Sequence, residues 1–190
     1  MHNLEKKHVS CILIFGGNIM ILTSLCYIEY KDHYLMLHRT KKAHDINEGK
    51  WIGVGGKFAD QESPEECLQR EVLEETGYTL LDWTFRGFIT FVQDGVETEY
   101  MCLFTSDDFL TTDGLPVSED PAFEGDDPNS WPVPVCDEGE LDWVHKDNIE
   151  DLPLWKGDRV FLGLLRKDFP FFTLKLRYKG DELIESILDQ

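Results

Sequence analysis

A chain of 190 residues, 42% hydrophobic and 12% aromatic, is long enough to bury one core and is neither disordered nor fibrous in composition. Asp plus Glu number 37 against 18 Lys plus Arg, a formal charge of −19, which argues against the basic footprint that a DNA or RNA polymer requires and favours ligands that arrive with cations. Five cysteines without CxxC spacing argue against a disulfide framework or structural zinc and for reduced thiols in a cytoplasmic setting, and no apolar run reaches the about 18 residues of a membrane-spanning helix.

Along the chain, Lys6 and Lys7 before the apolar run Val9 to Phe15 resemble a secretory signal, but Gly16-Gly17-Asn18 interrupts the run and no small-residue cleavage site follows. The preferred reading is two strands, residues 9–14 and 19–28, joined by that turn. Met20 offers a second start, so residues 1–19 are expected to be an N-terminal extension adding an extra strand to a domain of residues 20–190. Ile19 to Tyr30 and Tyr34 to His38 read as strands about a Lys31-Asp32 turn, residues 39–50 as a polar loop, and residues 51–57 as a glycine-dense stretch that cannot hold a helix. Ser63-Pro64 is the order of an N-cap and first helical residue, Glu65 to Thr76 has helical composition, and Gly77 supplies the stop. Trp83 to Gln93 and Glu97 to Thr105 read as strands about Asp94-Gly95.

Residues 107–140 hold eleven Asp or Glu, five Pro and no Lys or Arg, which predicts a mobile acidic insertion and leaves the remainder near −8. Leu141 to Val144 is a strand, and Arg159 to Lys167 is a helix that Asp158 would cap. Phe172, Leu174, Leu176 and Tyr178 alternate as a strand face, and Lys179-Gly180 turns into a last segment, Asp181 to Leu188. Mixed strands with two intervening helices indicate a single-domain α/β sandwich.

The chemistry is concentrated in one helix. Glu71, Glu74 and Glu75 stand at i, i+3 and i+4, so three carboxylates share a face, which costs a few tenths of a kcal/mol per unpaired like-charge pair. A solvated acidic face is the plain alternative, yet a hard dication resolves the conflict, because magnesium prefers carboxylate and water oxygens. Read from Gly56, the pattern is five residues, Glu62, seven residues, then Arg70-Glu71-Val72-Leu73-Glu74-Glu75-Thr76-Gly77. Seven specified residues at those spacings coincide by chance about once in a million chains of this length.

Gly56 to Tyr78 resembles the Nudix box, departing from it only in Tyr78, where the family has an aliphatic residue. The resemblance implies a Nudix fold, an αβα sandwich with a mixed β-sheet and a loop-helix-loop catalytic motif, and dependence on Mg2+, with Mn2+ able to substitute. It further implies that Glu71, Glu74, Glu75 and the Gly55 carbonyl hold the metal, with Glu74 or Glu75 sharing water activation. Glu62 and Arg70 would tie loop to helix beside the structural glycines Gly56 and Gly77. Lys57 would meet a phosphate, and Glu97, or failing it Glu99, would add a carboxylate from a later strand.

More widely, His38 to Lys42, Gly49 to Lys57 and Leu152 to Asp158 resemble the MutT-type purine nucleoside triphosphatases that act on 8-oxo-dGTP and sanitise the nucleotide pool, a DNA-repair function. By that resemblance Trp155 stacks on the purine and Asp158 reads its edge, against the plain alternatives of core and helix cap. Ile52 stands where mammalian members offer an asparagine, so discrimination of the oxidised base is in question. The implied reaction is attack of water on the triphosphate chain, giving nucleoside monophosphate and pyrophosphate. Two other readings stand beside it: hydrolysis of another nucleoside diphosphate derivative, such as ADP-ribose or a dinucleoside polyphosphate, and a non-catalytic nucleotide sensor. The expected partner is a small-molecule nucleotide, with no nucleic-acid polymer and no membrane, and the chain acts as a monomer or homodimer.

Overall fold

The computed structural model describes residues 12–15, 18–41 and 46–189, with side chains from residue 20 onward. In chain order the elements are β1 (Ile12–Phe15), β2 (Asn18–Tyr30), β3 (His33–His38), β4 (Trp51–Ile52), β5 (Val54–Lys57), α1 (Pro64–Thr76), β6 (Thr79–Leu80), β7 (Thr84–Gln93) and β8 (Thr98–Ser106). They continue with β9 (Phe109–Leu110), β10 (Glu140–His145), α2 (Lys156–Leu165), β11 (Phe172–Lys179) and β12 (Glu182–Asp189). The main sheet runs β10-β3-β2-β8-β7-β11-β12, with β2–β8 and β7–β11 parallel and the other pairs antiparallel, so it is mixed.

Strand alternation divides the interior into two cores. On β8, Cys102 and Phe104 face one core with Cys67, Leu68 and Val72 of α1, while Leu103 faces the other with Phe161, Leu162 and Leu165 of α2. Helices therefore cover both faces of the sheet, which is the αβα sandwich with a mixed β-sheet that the resemblance implied. On β11, Phe172, Leu174, Leu176 and Tyr178 are all buried while the residues between them are exposed.

Three expectations are revised. The boundary drawn after residue 19 falls inside β2, whose first residues pair with β1 in the register Phe15 to Asn18; residues 9–11 and Gly16-Gly17 lie outside the described residues. The second helix starts at Lys156 rather than Arg159, with Trp155 as its N-cap, so Asp158 sits within the first turn and does not cap it.

Residues 107–140 are not a mobile insertion. Phe109, Val117, Phe123, Trp131 and Cys136 are buried in the α1-side core, and Trp131 packs edge-on against Tyr30 and Trp143 at 5.0 and 5.9 Å. Its acids and prolines build tight turns. Asp120 accepts from Ala122 N at 2.9 Å and from Thr111 Oγ1 at 2.6 Å, capping a 3-10 turn opened by Pro121, and Asp127 caps a second turn opened by Pro128. Lys31, at the β2–β3 turn, donates to the carbonyl of Gly125 at 2.5 Å and fastens the segment to the sheet.

Candidate active site

The helix α1 begins and ends on local signals. Ser63 accepts from Glu66 N at 3.2 Å while the Glu66 carboxylate accepts from Ser63 N at 2.8 Å, a complete capping box, and Gly77 closes the helix at φ +73°. This sets Glu71, Glu74 and Glu75 toward the glycine loop that precedes the helix. Gly55 has φ +154°, and a Cβ there would collide with the Ser24 carbonyl, so no other residue fits without strain. At Gly56 a Cβ would lie 2.5 Å from the Glu71 carboxyl carbon, so the bare backbone makes a cradle that the Glu71 carboxylate fills. Glu75 is buried and accepts from Gly55 N at 2.9 Å.

Arg70 holds these pieces together. Its Nε and Nη2 donate to both oxygens of Glu62 at 2.5 and 2.9 Å, Nη2 also to the Lys57 carbonyl at 3.0 Å, and Nη1 to Glu71 at 2.7 Å and Glu74 at 3.2 Å. The guanidinium beside Glu62 lowers that carboxyl's pKa and is itself held more firmly protonated by Glu62 and then Glu71. Among the described residues no three acidic, His or Cys side chains converge as a ready metal cage. The donors are nonetheless all hard oxygens, with one carboxylate seated in a glycine cradle, and this set suits a divalent ion such as magnesium.

Gly55, Gly56, Lys57, Arg70, Glu71, Glu74 and Glu75 line a cleft of about 920 Å³ that also includes Leu25, Ile52, Phe91, Met101, Trp155 and Asp158. Glu97 lies on its exposed edge, ahead of β8, whereas Glu99 is within β8, half-buried, and accepts from Thr23 Oγ1 at 2.7 Å. Sequence reasoning missed Glu138. It ends the acidic insertion, lines the cleft and is ion-paired with the buried Arg39. Gly139 makes its placement possible, because a Cβ there would strike the His38 carbonyl. The signal was an Asp-Glu-Gly sequence directly before a predicted strand. Lys57 is exposed and lines the cleft.

At the other end of the cleft, Trp155 is only 6% exposed. Its indole nitrogen donates to Asn47 Oδ1 at 2.8 Å, the Lys50 ammonium lies over its ring at 5.0 Å, and Phe91 and Tyr178 meet it edge-on at 5.9 and 5.3 Å. A ring so enclosed is a wall more than an open stacking platform, and half-buried Phe91 is the more accessible aromatic of the cleft. Gly157 N donates to the Tyr178 hydroxyl at 2.6 Å, fixing the start of α2. Burial, and then the Glu99 carboxylate, push the Asp158 carboxyl up to about 8 against the pull of Lys50 and Arg159.

The NUDIX domain family profile matches residues 22–164, most of the chain and all of the site just described except Tyr178. The chain belongs to the Nudix family. An oxidized purine nucleoside triphosphate hydrolase of Danio rerio is 29% identical over 152 residues, covering 78% of this chain and 83% of that protein. An uncharacterized Nudix hydrolase, YvcI of Bacillus subtilis, is 28% identical over 146 residues, covering 75% and 77%. In structure, this Nudix hydrolase is similar to a MutT protein from Bacillus halodurans, with TM-score 0.67, 24% identity and coverage of 89% and 97%. The NUDIX domain of Shewanella oneidensis NrtR, solved with ADP ribose, has TM-score 0.54 at 13% identity, covering 81% and 90%. At these identities the solved structures establish the fold. As a Nudix hydrolase, the chain is an enzyme of the pyrophosphatase type, a class that takes small nucleotide substrates and uses divalent metal ions.

Proposed function

We propose that this chain hydrolyses a purine nucleoside triphosphate, with 8-oxo-dGTP favoured, to the monophosphate and pyrophosphate in a magnesium-dependent reaction that clears damaged nucleotides from the cytoplasmic pool. One observation carries this reading: a single cleft joins seven carboxylates and three cations to an aromatic and apolar end with a half-buried eighth acid, Asp158. Such an excess of negative charge repels a bare triphosphate, so the phosphates belong at the carboxylate end in company with dications. The base then falls between Phe91, Met101 and Trp155, where Asp158, neutral at pH 7, can donate a hydrogen bond to a purine acceptor.

Bound divalent ions would supply charge neutralisation and activation of the attacking water. Glu71, Glu74, Glu75 and the Gly55 carbonyl are the groups that would hold them, and Glu138 is better placed than exposed Glu97 to add a carboxylate. Glu75, buried and fixed by Gly55 N, is the carboxylate best positioned to take the proton from water. Lys57 and Arg39 present positive charge to the phosphates. The relative in Danio rerio supports a purine triphosphate substrate.

A second reading, another nucleoside diphosphate derivative such as ADP-ribose, is favoured by Ile52, which lines the cleft without a hydrogen-bonding group. A panel of 8-oxo-dGTP, dGTP, ATP, ADP-ribose and a dinucleoside polyphosphate, run with and without magnesium, separates the two. Pyrophosphate and monophosphate from the purine triphosphates are expected; phosphate-sugar products from ADP-ribose with no pyrophosphate from any triphosphate would sink the first reading.

A further inference from the structure

Tyr27, in the middle of β2, is fully buried; the Gly53 backbone N–H is directed at its hydroxyl oxygen, but its own O–H meets no acceptor among the described residues. An orphaned buried O–H costs about 1–3 kcal/mol, so its retention in a packed core calls for an acceptor that arrives at some stage of the cycle. Its surroundings identify that acceptor. Leu25, two residues earlier on the same face of β2, lines the substrate cleft, and the Tyr27 ring packs 6.1 Å from Phe161 of α2. Phe161 is one helical turn beyond Asp158 on the same face of α2, so Tyr27 stands directly behind the wall from which Asp158 faces the cleft. The two groups interact electrostatically, Asp158 helping to raise the phenol's pKa after burial itself.

We propose that Tyr27 is a positioning residue for Asp158: its hydroxyl donates to the Asp158 carboxyl when a purine occupies the cleft, and so selects the orientation in which Asp158 meets the base edge. The inference rests on the base-binding reading of Asp158 given above. No bond is made or broken; the phenol keeps its proton and Asp158 keeps its second oxygen for the base. The other charged or titratable groups that act on this carboxyl, or on which it acts, are Glu99 from β8, Lys50 ahead of β4, Arg159 on α2 and Tyr178 on β11. None of them lies behind it on β2.

The test uses the full chain with Tyr27→Phe, Asp158→Leu and the double variant. It measures KM and kcat against pH for a purine triphosphate with magnesium, and binding of the purine monophosphate alone by tryptophan fluorescence. Tyr27→Phe is expected to raise KM and the monophosphate Kd about fivefold, the worth of one net hydrogen bond, with kcat within about twofold. It should also move the alkaline limb of the KM profile upward, because the Asp158 carboxylate loses a donor. In the Asp158→Leu background, which offers the phenol no acceptor, the same change should add nothing. Fluorotyrosine at position 27, a stronger donor with the ring intact, should move the limb downward and so guards against a packing effect. Asp158→Leu impaired with Tyr27→Phe silent, or the two effects simply adding, overturns this inference alone; Asp158→Leu silent removes the base-binding reading and this inference with it.

Discussion

Glu75 and Glu74 are neighbours in sequence but differ in setting: Glu75 is 7% exposed and held by a backbone N–H, whereas the Glu74 side chain is 41% exposed and touches only the edge of the Arg70 guanidinium. Glu75→Gln keeps the shape and removes the base, so turnover should fall about a hundredfold or more with little change in melting temperature. Glu74→Gln should also lower turnover and should raise the magnesium concentration needed for half-maximal rate; equal, unchanged rates in both variants would remove the proposed mechanism. Asp158 gives a pH signature. Its carboxyl has a folded pKa of about 8 against an ordinary 3.8, so the folded state holds a proton that the unfolded chain releases in that interval. The stability this proton confers is complete below about pH 4 and is lost as pH rises through about 8. Urea denaturation at pH 5, 7 and 9 should show the wild type weakening along that series and Asp158→Asn varying less.

At the scale of the element, the loop-helix-loop is a unit because Arg70 reaches back to Glu62 and Lys57 across the glycine bend. Arg70→Ala strands the carboxylates of Glu62, Glu71 and Glu74 and the Lys57 carbonyl, and should cost about 2–3 kcal/mol by urea denaturation, with partial recovery in Arg70→Lys, which lacks the bidentate fork. This unit was legible in the sequence because every signal is local: Ser63 and Glu66 three apart, Gly77 at the stop, and carboxylates at helical spacing. The strand pattern of β11 was legible for the same reason. What failed were statements that depend on distant chain. The start of α2 is set by Asn47, Lys50 and Tyr178 gripping Trp155 and Gly157, none of them near in sequence. Glu138 reaches the site only because Arg39 and Gly139 dock it, and Glu97 was preferred because a strand glutamate was sought on β8 alone.

Across the whole molecule, the acidic segment was misjudged because its charge was counted and its aromatic residues were not. Phe109 stacks on Tyr78 at 4.9 Å, and the Tyr78 hydroxyl donates to the Pro132 carbonyl at 3.4 Å. The one residue that departs from the box pattern therefore packs on the insertion, joining it to the end of α1. Trp131→Ala would open a cavity among Tyr30, Phe123 and Trp143 and should cost about 3–5 kcal/mol, read as a lowered melting temperature; a loss below about 1 kcal/mol would show that this segment packs loosely in solution. The substitution should also reduce turnover, since Glu138 is carried on the same segment.

The glycines of that segment differ in what surrounds them: a side chain added at Gly114, on an exposed turn, would meet nothing within 4 Å, whereas one at Gly139 would strike the His38 carbonyl. New peptide can therefore be spliced into this protein at Gly114, where an epitope or fluorophore acceptor would hang free of the fold. The same graft a few residues either side of Gly139 would pry Glu138 out of the cleft, so the segment is open to remodelling at its tip and closed to it at its root.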